Sequence, residues 1–204
     1  MLPIATSCEP KSPVAAPIGG QFSYEPTIQL GHDDTQYRLL TREFVSTVEL
    51  AERTYLQVAP AGLTLLASTA FSDISFYLRP AHLKRLREEL ADPEASDNDR
   101  FVIYTHLQNA VTASAGLLPT CQDTGTAIVM GKKGQRVLTD SDDASALSAG
   151  IYQTYQEKNL RYSQIAPLEM FKEKSTASNL PTQVDLLADT SAEHALLMDA
   201  QTGQ

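Results

Sequence analysis

The stretch Gly116-Leu-Leu-Pro-Thr-Cys-Gln-Asp-Thr-Gly125, with the apolar run Ala127-Ile-Val-Met130 after it, sets the fold on both sides. A helical pattern reaches Gly116, Pro119 prevents its continuation, and strand-forming residues resume beyond Gly125, so a helix leads through an irregular loop into a strand. The loop places the Cys121 thiol, the Gln122 amide and the Asp123 carboxylate side by side between two glycines. Loops held by rigid neighbours are where ligands and catalytic groups concentrate, so chemistry is sought here first.

Upstream of the loop, Ser96, Asp97 and Asn98 are N-cap candidates for a helix with Phe101, Tyr104, Leu107 and Val111 as its expected core face. An earlier helix opens at Pro80 and stops before Pro93. Its Leu83, Leu86 and Leu90 share one side, while Lys84, Arg85 and Arg87 form a hydrated face. Another opens at Pro60, with Leu63, Leu66, Ala70, Ile74, Tyr77 and Leu78 at three- and four-residue spacing. Alternation between Tyr37 and Val58 predicts two short strands turning near Ala51 and Glu52. Five of the 11 prolines fall between Pro3 and Pro26, which predicts a flexible arm over residues 1–26 and a folded domain over 27–204.

Downstream, Gly131-Lys-Lys-Gly134 reads as a hairpin turn joining strands at 127–130 and 135–138. Asp140, Asp142 and Asp143 suit the positive end of a helix that carries Leu147, Ile151 and Tyr155 on one side and ends near Arg161. Residues 184–188 and 194–198 read as a strand pair around Thr190-Ser-Ala192. The expected class is α+β, with several helices packed around a small mixed or antiparallel sheet.

A chain of 204 residues can bury a substantial core and is expected to form one domain. Its net charge of -9 disfavours nucleic acid and anionic membrane surfaces, since both call for clustered cations. Two cysteines, Cys8 and Cys121, cannot build a disulfide framework, which points to a reducing compartment. No membrane span is expected. The first residues contain Glu9 and no arginine, a poor match to a secretory or transit signal. The cytoplasm is the expected location, with the mitochondrion as the alternative.

Cys121 has three readings: a buried core thiol, a nucleophile with His106 as a conceivable base, or a metal thiolate whose companion ligands lie far away in sequence. Gly131-Lys-Lys-Gly134 lacks the spacing and the Ser or Thr of a phosphate loop. The adjacent His32, Asp33 and Asp34 read as a solvated turn, and Cys8 lies in the arm. Arg161 either caps helix carbonyls or presents its planar fork to a substrate carboxylate.

The motifs Leu118-Pro-Thr-Cys-Gln-Asp-Thr-Gly-Thr126, Gly131-Lys-Lys-Gly-Gln-Arg136, Asn159-Leu-Arg-Tyr-Ser-Gln164 and Asn179-Leu-Pro181 occur in this order, after Leu78-Arg-Pro-Ala-His82 and Asp92-Pro-Glu-Ala-Ser96. In these the chain resembles the class I, iron-sulfur fumarate hydratases over roughly residues 24–189. Tartrate dehydratases are similar at the cysteine motif. The resemblance implies reversible hydration of fumarate to malate at the open iron of a 4Fe-4S cluster, which acts as a Lewis acid. Cys121 would be the first of three cluster cysteines. Gln122 and Asp123 would touch substrate, Asp123 as proton donor or orienter, and Arg161 would hold a substrate carboxylate. It also implies a homodimer. The other two cysteines, and a C-terminal domain carrying the base, are expected from a missing C-terminal part or partner chain. A non-catalytic fragment or partner-binding module that keeps the fold is the alternative.

Overall fold

The structure, a computed structural model, describes residues 23, 37–122, 124–189 and 197–202. The arm, Cys8, the His32-Asp33-Asp34 turn, Asp123 and the turn at 190–192 lie outside the described residues, apart from residue 23.

The first elements follow the sequence closely. β1 (Val45–Leu50) and β2 (Arg53–Val58) pair antiparallel, turning at Ala51 and Glu52. Both turn residues have left-handed φ, 49° and 59°, which gives the tight turn a twist matching that of the strands. α1 (Pro60–Phe76) carries proline in its first turn, where a missing N–H costs nothing, and α2 (Pro80–Leu90) repeats the device. α3 (Asp97–Ala113) begins at the N-cap Ser96, whose hydroxyl accepts from Asp99 N while the Asp99 carboxylate accepts from Ser96 N.

The Gly131-Lys-Lys-Gly134 hairpin is not formed. β3 (Ala127–Gly134) runs straight through these four residues, and β4 (Val137–Thr139) leaves for another sheet, where it pairs parallel to β2. The turn composition was outweighed by pairing with β7 (Gln183–Asp189), which lies parallel to β3 with Gly131 opposite Leu186 and Gly134 opposite Asp189. β8 (Leu197–Thr202) lines the other edge of β3, antiparallel. The two late strands thus flank β3 and do not pair with each other, and both three-stranded sheets are mixed. Between β4 and β7 in sequence, α4 (Asp143–Glu157) is capped by Asp142 and ends short of Arg161, and the small hairpin β5 (Ile165–Glu169) and β6 (Lys172–Ser175) follows.

The core forms where α1 and α4 meet β3. Leu63, Ala67, Phe71 and Phe76 of α1 pack with Ala146, Leu147, Ile151 and Tyr155 of α4 and Ala127 and Val129 of β3. The buried row on α1 therefore follows a four-residue step through Ala67 and Phe71, displaced by one position from the expected Leu66 and Ala70, and Tyr77 is exposed. Gly150 causes the close crossing: a Cβ there would lie 2.2 Å from Thr64 O and 2.9 Å from Ser68 N. Thr64 Oγ1 donates to Ala146 O at 2.9 Å, and Thr154 Oγ1 lies 3.0 Å from Ser68 O. The stretch Pro60–Leu90 is long and apolar enough by composition to cross a membrane. Here it is broken at residues 77–79, and the buried row of α1 faces α4.

The expected core face of α3 is a correction. Phe101 is 69% exposed and Val111 73%, with Tyr104 also exposed, because α3 packs on α2 and nothing else described covers its other side.

Candidate active site

The loop from Gly116 to Thr126 leaves the end of α3 and enters β3, and it is pinned at both ends of its reactive centre. On one side Thr120 N donates to Ser75 O at 2.8 Å, at the end of α1, and Asn109 Nδ2 donates to Thr120 O at 2.7 Å from α3. On the other side Thr124 Oγ1 donates to Arg161 O at 2.6 Å and lies 2.9 Å from Ser163 Oγ. Cys121 and Gln122 stand exposed between these anchors. The core-thiol reading of Cys121 is thereby overturned, since the short loop holds the residue outward while Thr124 turns in.

The segment after α4 comes to the same place. Leu160 is buried in the core and Asn159 has a left-handed φ of 50°, so the chain reverses and brings Arg161, exposed, beside the loop at the level of its backbone. Asn179 closes the arrangement from a third segment: its Nδ2 donates to Gly125 O at 2.8 Å, and its Oδ1 accepts from Ser163 N at 3.1 Å and Gln164 N at 2.9 Å. Three of the motifs noted in the sequence thus converge. Gly131 to Arg136 belongs to β3 and the start of the next turn, outside this junction.

Beneath the junction Tyr155 is buried and stacks on Tyr162, ring centroids 6.2 Å apart. Burial pushes the Tyr155 hydroxyl above its ordinary pKa. Thr124 and Asn179 lie toward that hydroxyl, which makes no hydrogen bond of acceptable geometry with either. Nothing in the sequence marked Thr124, Ser163 or Tyr155 as part of this site beyond their places within or near the motifs. His106, the conceivable base, is exposed on α3. Lys84 and Arg85 pair with Glu88 and Glu89 on the α2 surface, as a hydrated face would.

The sequence profile of fumarate hydratase (fumerase) matches residues 64–203. The aerobic class I fumarate hydratase of Escherichia coli K12 is 53% identical over 182 residues. The chain belongs to the class I fumarate hydratase family. The anaerobic class I enzyme of Escherichia coli K12 is 52% identical over 182 residues, and fumarate hydratase 1, mitochondrial, of Leishmania major is 48% identical over 193. These alignments take in 89%, 89% and 92% of this chain but 33%, 33% and 35% of the respective relatives. The chain spans about a third of the length of the relatives it matches.

Relatives of this class imply an iron-sulfur cofactor in general, and the loop can be tested against that need. A cubane cluster is held by several thiolates. Cys121 offers one, accessible to solvent, and among the described residues no three His, Cys, Asp or Glu side chains gather closely enough to hold a metal ion. The residues described here fit a single anchor and do not fit a complete cluster site.

Proposed function

We propose that this chain is the cysteine-loop portion of a class I fumarate hydratase, which interconverts fumarate and malate, and that Cys121 contributes one thiolate to a 4Fe-4S cluster whose other anchors come from outside the described residues. The observation carrying this reading is the Thr124 bond to the Arg161 backbone, which ties the thiol loop to the segment bearing a guanidinium. A dicarboxylate dianion needs a cationic partner, and the planar fork of Arg161 suits one carboxylate. Gln122, next to Cys121, offers an amide that can both donate and accept at the substrate. Asp123 is assigned proton transfer or orientation, since a carboxylate beside a departing hydroxyl can carry its proton. A second copy of the chain is a further proposed partner, and the cytoplasm the proposed location.

Anaerobic reconstitution with iron and sulfide, alone and with the remaining portion of a relative added, tests this reading. Hydration of fumarate in the complemented sample, absent in Cys121→Ser, is the expected result. Arg161→Lys should raise KM more than it lowers kcat, and Asp123→Asn should depress turnover while iron content holds. No thiolate-to-iron absorbance and no hydration under complementation would overturn it. That outcome would favour a non-catalytic module that keeps the fold. Faster turnover of tartrate than of malate would instead move the substrate to the tartrate dehydratase side.

A further inference from the structure

We propose that Asn179 is the positioning residue that sets the Cys121 loop against the Arg161 segment, a role that rests on the fumarate hydratase reading above. Its side chain is 0% exposed, so every polar atom it carries must be satisfied by protein. One amide does three tasks. Nδ2 donates to Gly125 O, four residues after Cys121, while Oδ1 accepts from Ser163 N and Gln164 N, two and three residues after Arg161. The side chain thus bonds to both segments, through a donor to one and an acceptor to the other. Thr124 reaches Arg161 from within the loop itself, and so ties it in parallel.

The residue type follows from the task. A carboxylate would keep the acceptor and lose the donor, setting an anion against Gly125 O; a hydroxyl is too short to meet three backbone groups. Asn179 also has a left-handed φ of 55°, a conformation that asparagine tolerates better than most residues. Glutamine shares the amide but not that tolerance. The blander explanation is that Asn179 is present for its backbone alone, and the two roles separate by substitution. Asn179→Gly keeps the left-handed backbone and deletes the clasp. Asn179→Asp keeps the acceptor and removes the donor.

The experiment uses the 204-residue chain in a Cys8→Ser background, leaving Cys121 as the sole thiol for a nitroxide label. Amide exchange at Ser163 and Gln164 is read beside the label's electron paramagnetic resonance line shape, well below the melting temperature. Asn179→Gly should speed exchange at both amides about 5- to 10-fold, the loss of one net hydrogen bond, and narrow the label spectrum. Asn179→Asp should keep those two amides at least as protected as in the parent, to within about 2-fold, and still narrow the spectrum, because the Gly125 bond is replaced by an anion facing that carbonyl. A general loss of stability lowers the melting temperature without narrowing a spectrum recorded far below it. Spectra unchanged in both variants, while the amides of Asn179→Gly open, would overturn the proposal; so would an Asn179→Gly chain indistinguishable from the parent, which would reduce Asn179 to its φ. If Asn179→Gly shows no cooperative melt, the spectrum of Asn179→Asp decides. Neither readout involves iron or substrate, so a negative result leaves the fumarate hydratase reading standing, and failed hydration leaves the clasp standing.

Discussion

α1 with α4 and α2 with α3 are two helix pairs with different fates, the first the more apolar in composition, the second carrying the charged run Lys84 to Glu89 on α2. In the first pair Leu147, Ile151 and Tyr155 meet Ala67 and Phe71 with almost no exposure, and β3 covers the layer. In the second, α2 has no buried residue, α3 has only Ala113, and Phe101, Tyr104 and Val111 face outward. Hydrophobic periodicity states which side of a helix is apolar. It does not state whether a third element arrives to cover that side, and here one arrives only for α4 and α1.

The comparison is broken most directly by truncating one large apolar side chain in each pair. Leu147→Ala removes a fully buried side chain and should cost about 2–5 kcal/mol of unfolding free energy, whereas Phe101→Ala should stay within about 0.5 kcal/mol. Equal losses in denaturant titrations would show that α3 is buried in solution by a partner. The helix crossing offers the next effect. Gly150→Ala would thrust a methyl group toward Thr64 O, and since that is backbone the helices must part, at a cost of about 1–3 kcal/mol despite the higher helix propensity of alanine. A stabilised Gly150→Ala would show that the crossing is looser than described.

The buried pair also contains a flaw that sharpens the contrast. The Tyr155 hydroxyl is buried with no hydrogen-bond partner among the described residues, so Tyr155→Phe removes an unpaid desolvation and should leave stability unchanged or raise it by up to about 1 kcal/mol. Its pH signature has a definite sign. The folded pKa is raised by burial above the ordinary 10.0, so folding favours the protonated phenol: the contribution is whole below pH 10.0 and is lost as pH rises through the folded value. Chemical denaturation across the alkaline range should accordingly flatten in Tyr155→Phe. A steeper alkaline loss in the variant than in the parent would contradict this environment.

Much of the fold was legible because the signals were local. Pro60 and Pro80 mark helix starts, Ser96 and Asp142 mark caps, and the turn at Ala51 and Glu52 follows from the alternation on either side. The path of β3 was not legible, since Gly131 and Gly134 have turn composition and only partners more than fifty residues downstream hold them extended. The hairpin of β5 and β6 left no pattern, its strands being short and mostly exposed, β5 interrupted by Pro167 and β6 charged. At the candidate site the thiol, the amide and the arginine could be read from residue type and resemblance. Thr124, Ser163 and Asn179 could not be ranked by that route, because their value lies in side-chain-to-backbone bonds made across sequence gaps of 37, 16 and 54 residues.

The smallest effect belongs to the start of α3, where the helix depends on its own ends because little else holds it. Ser96 Oγ donates to Asp99 Oδ2 at 2.6 Å and Ser96 N donates to the same oxygen at 3.1 Å. Both bonds favour the carboxylate, the side-chain bond most, and hold Asp99 below its ordinary 3.8. A depressed carboxylate stabilises the fold above the unfolded value, and that contribution fades as pH falls below 3.8 through the folded value. Protection of the amides in the first turn of α3, with the acid-slowed intrinsic exchange rate divided out, should therefore drop on acidification before that of the α4 amides, whose cap Asp142 sits on a helix that the core also holds. Asp99→Asn should lower first-turn protection at neutral pH and remove the acid dependence of that protection. If α3 and α4 opened together along the acid limb in both proteins, the two helix pairs would be one cooperative unit, and the difference in burial between them would have no counterpart in local stability.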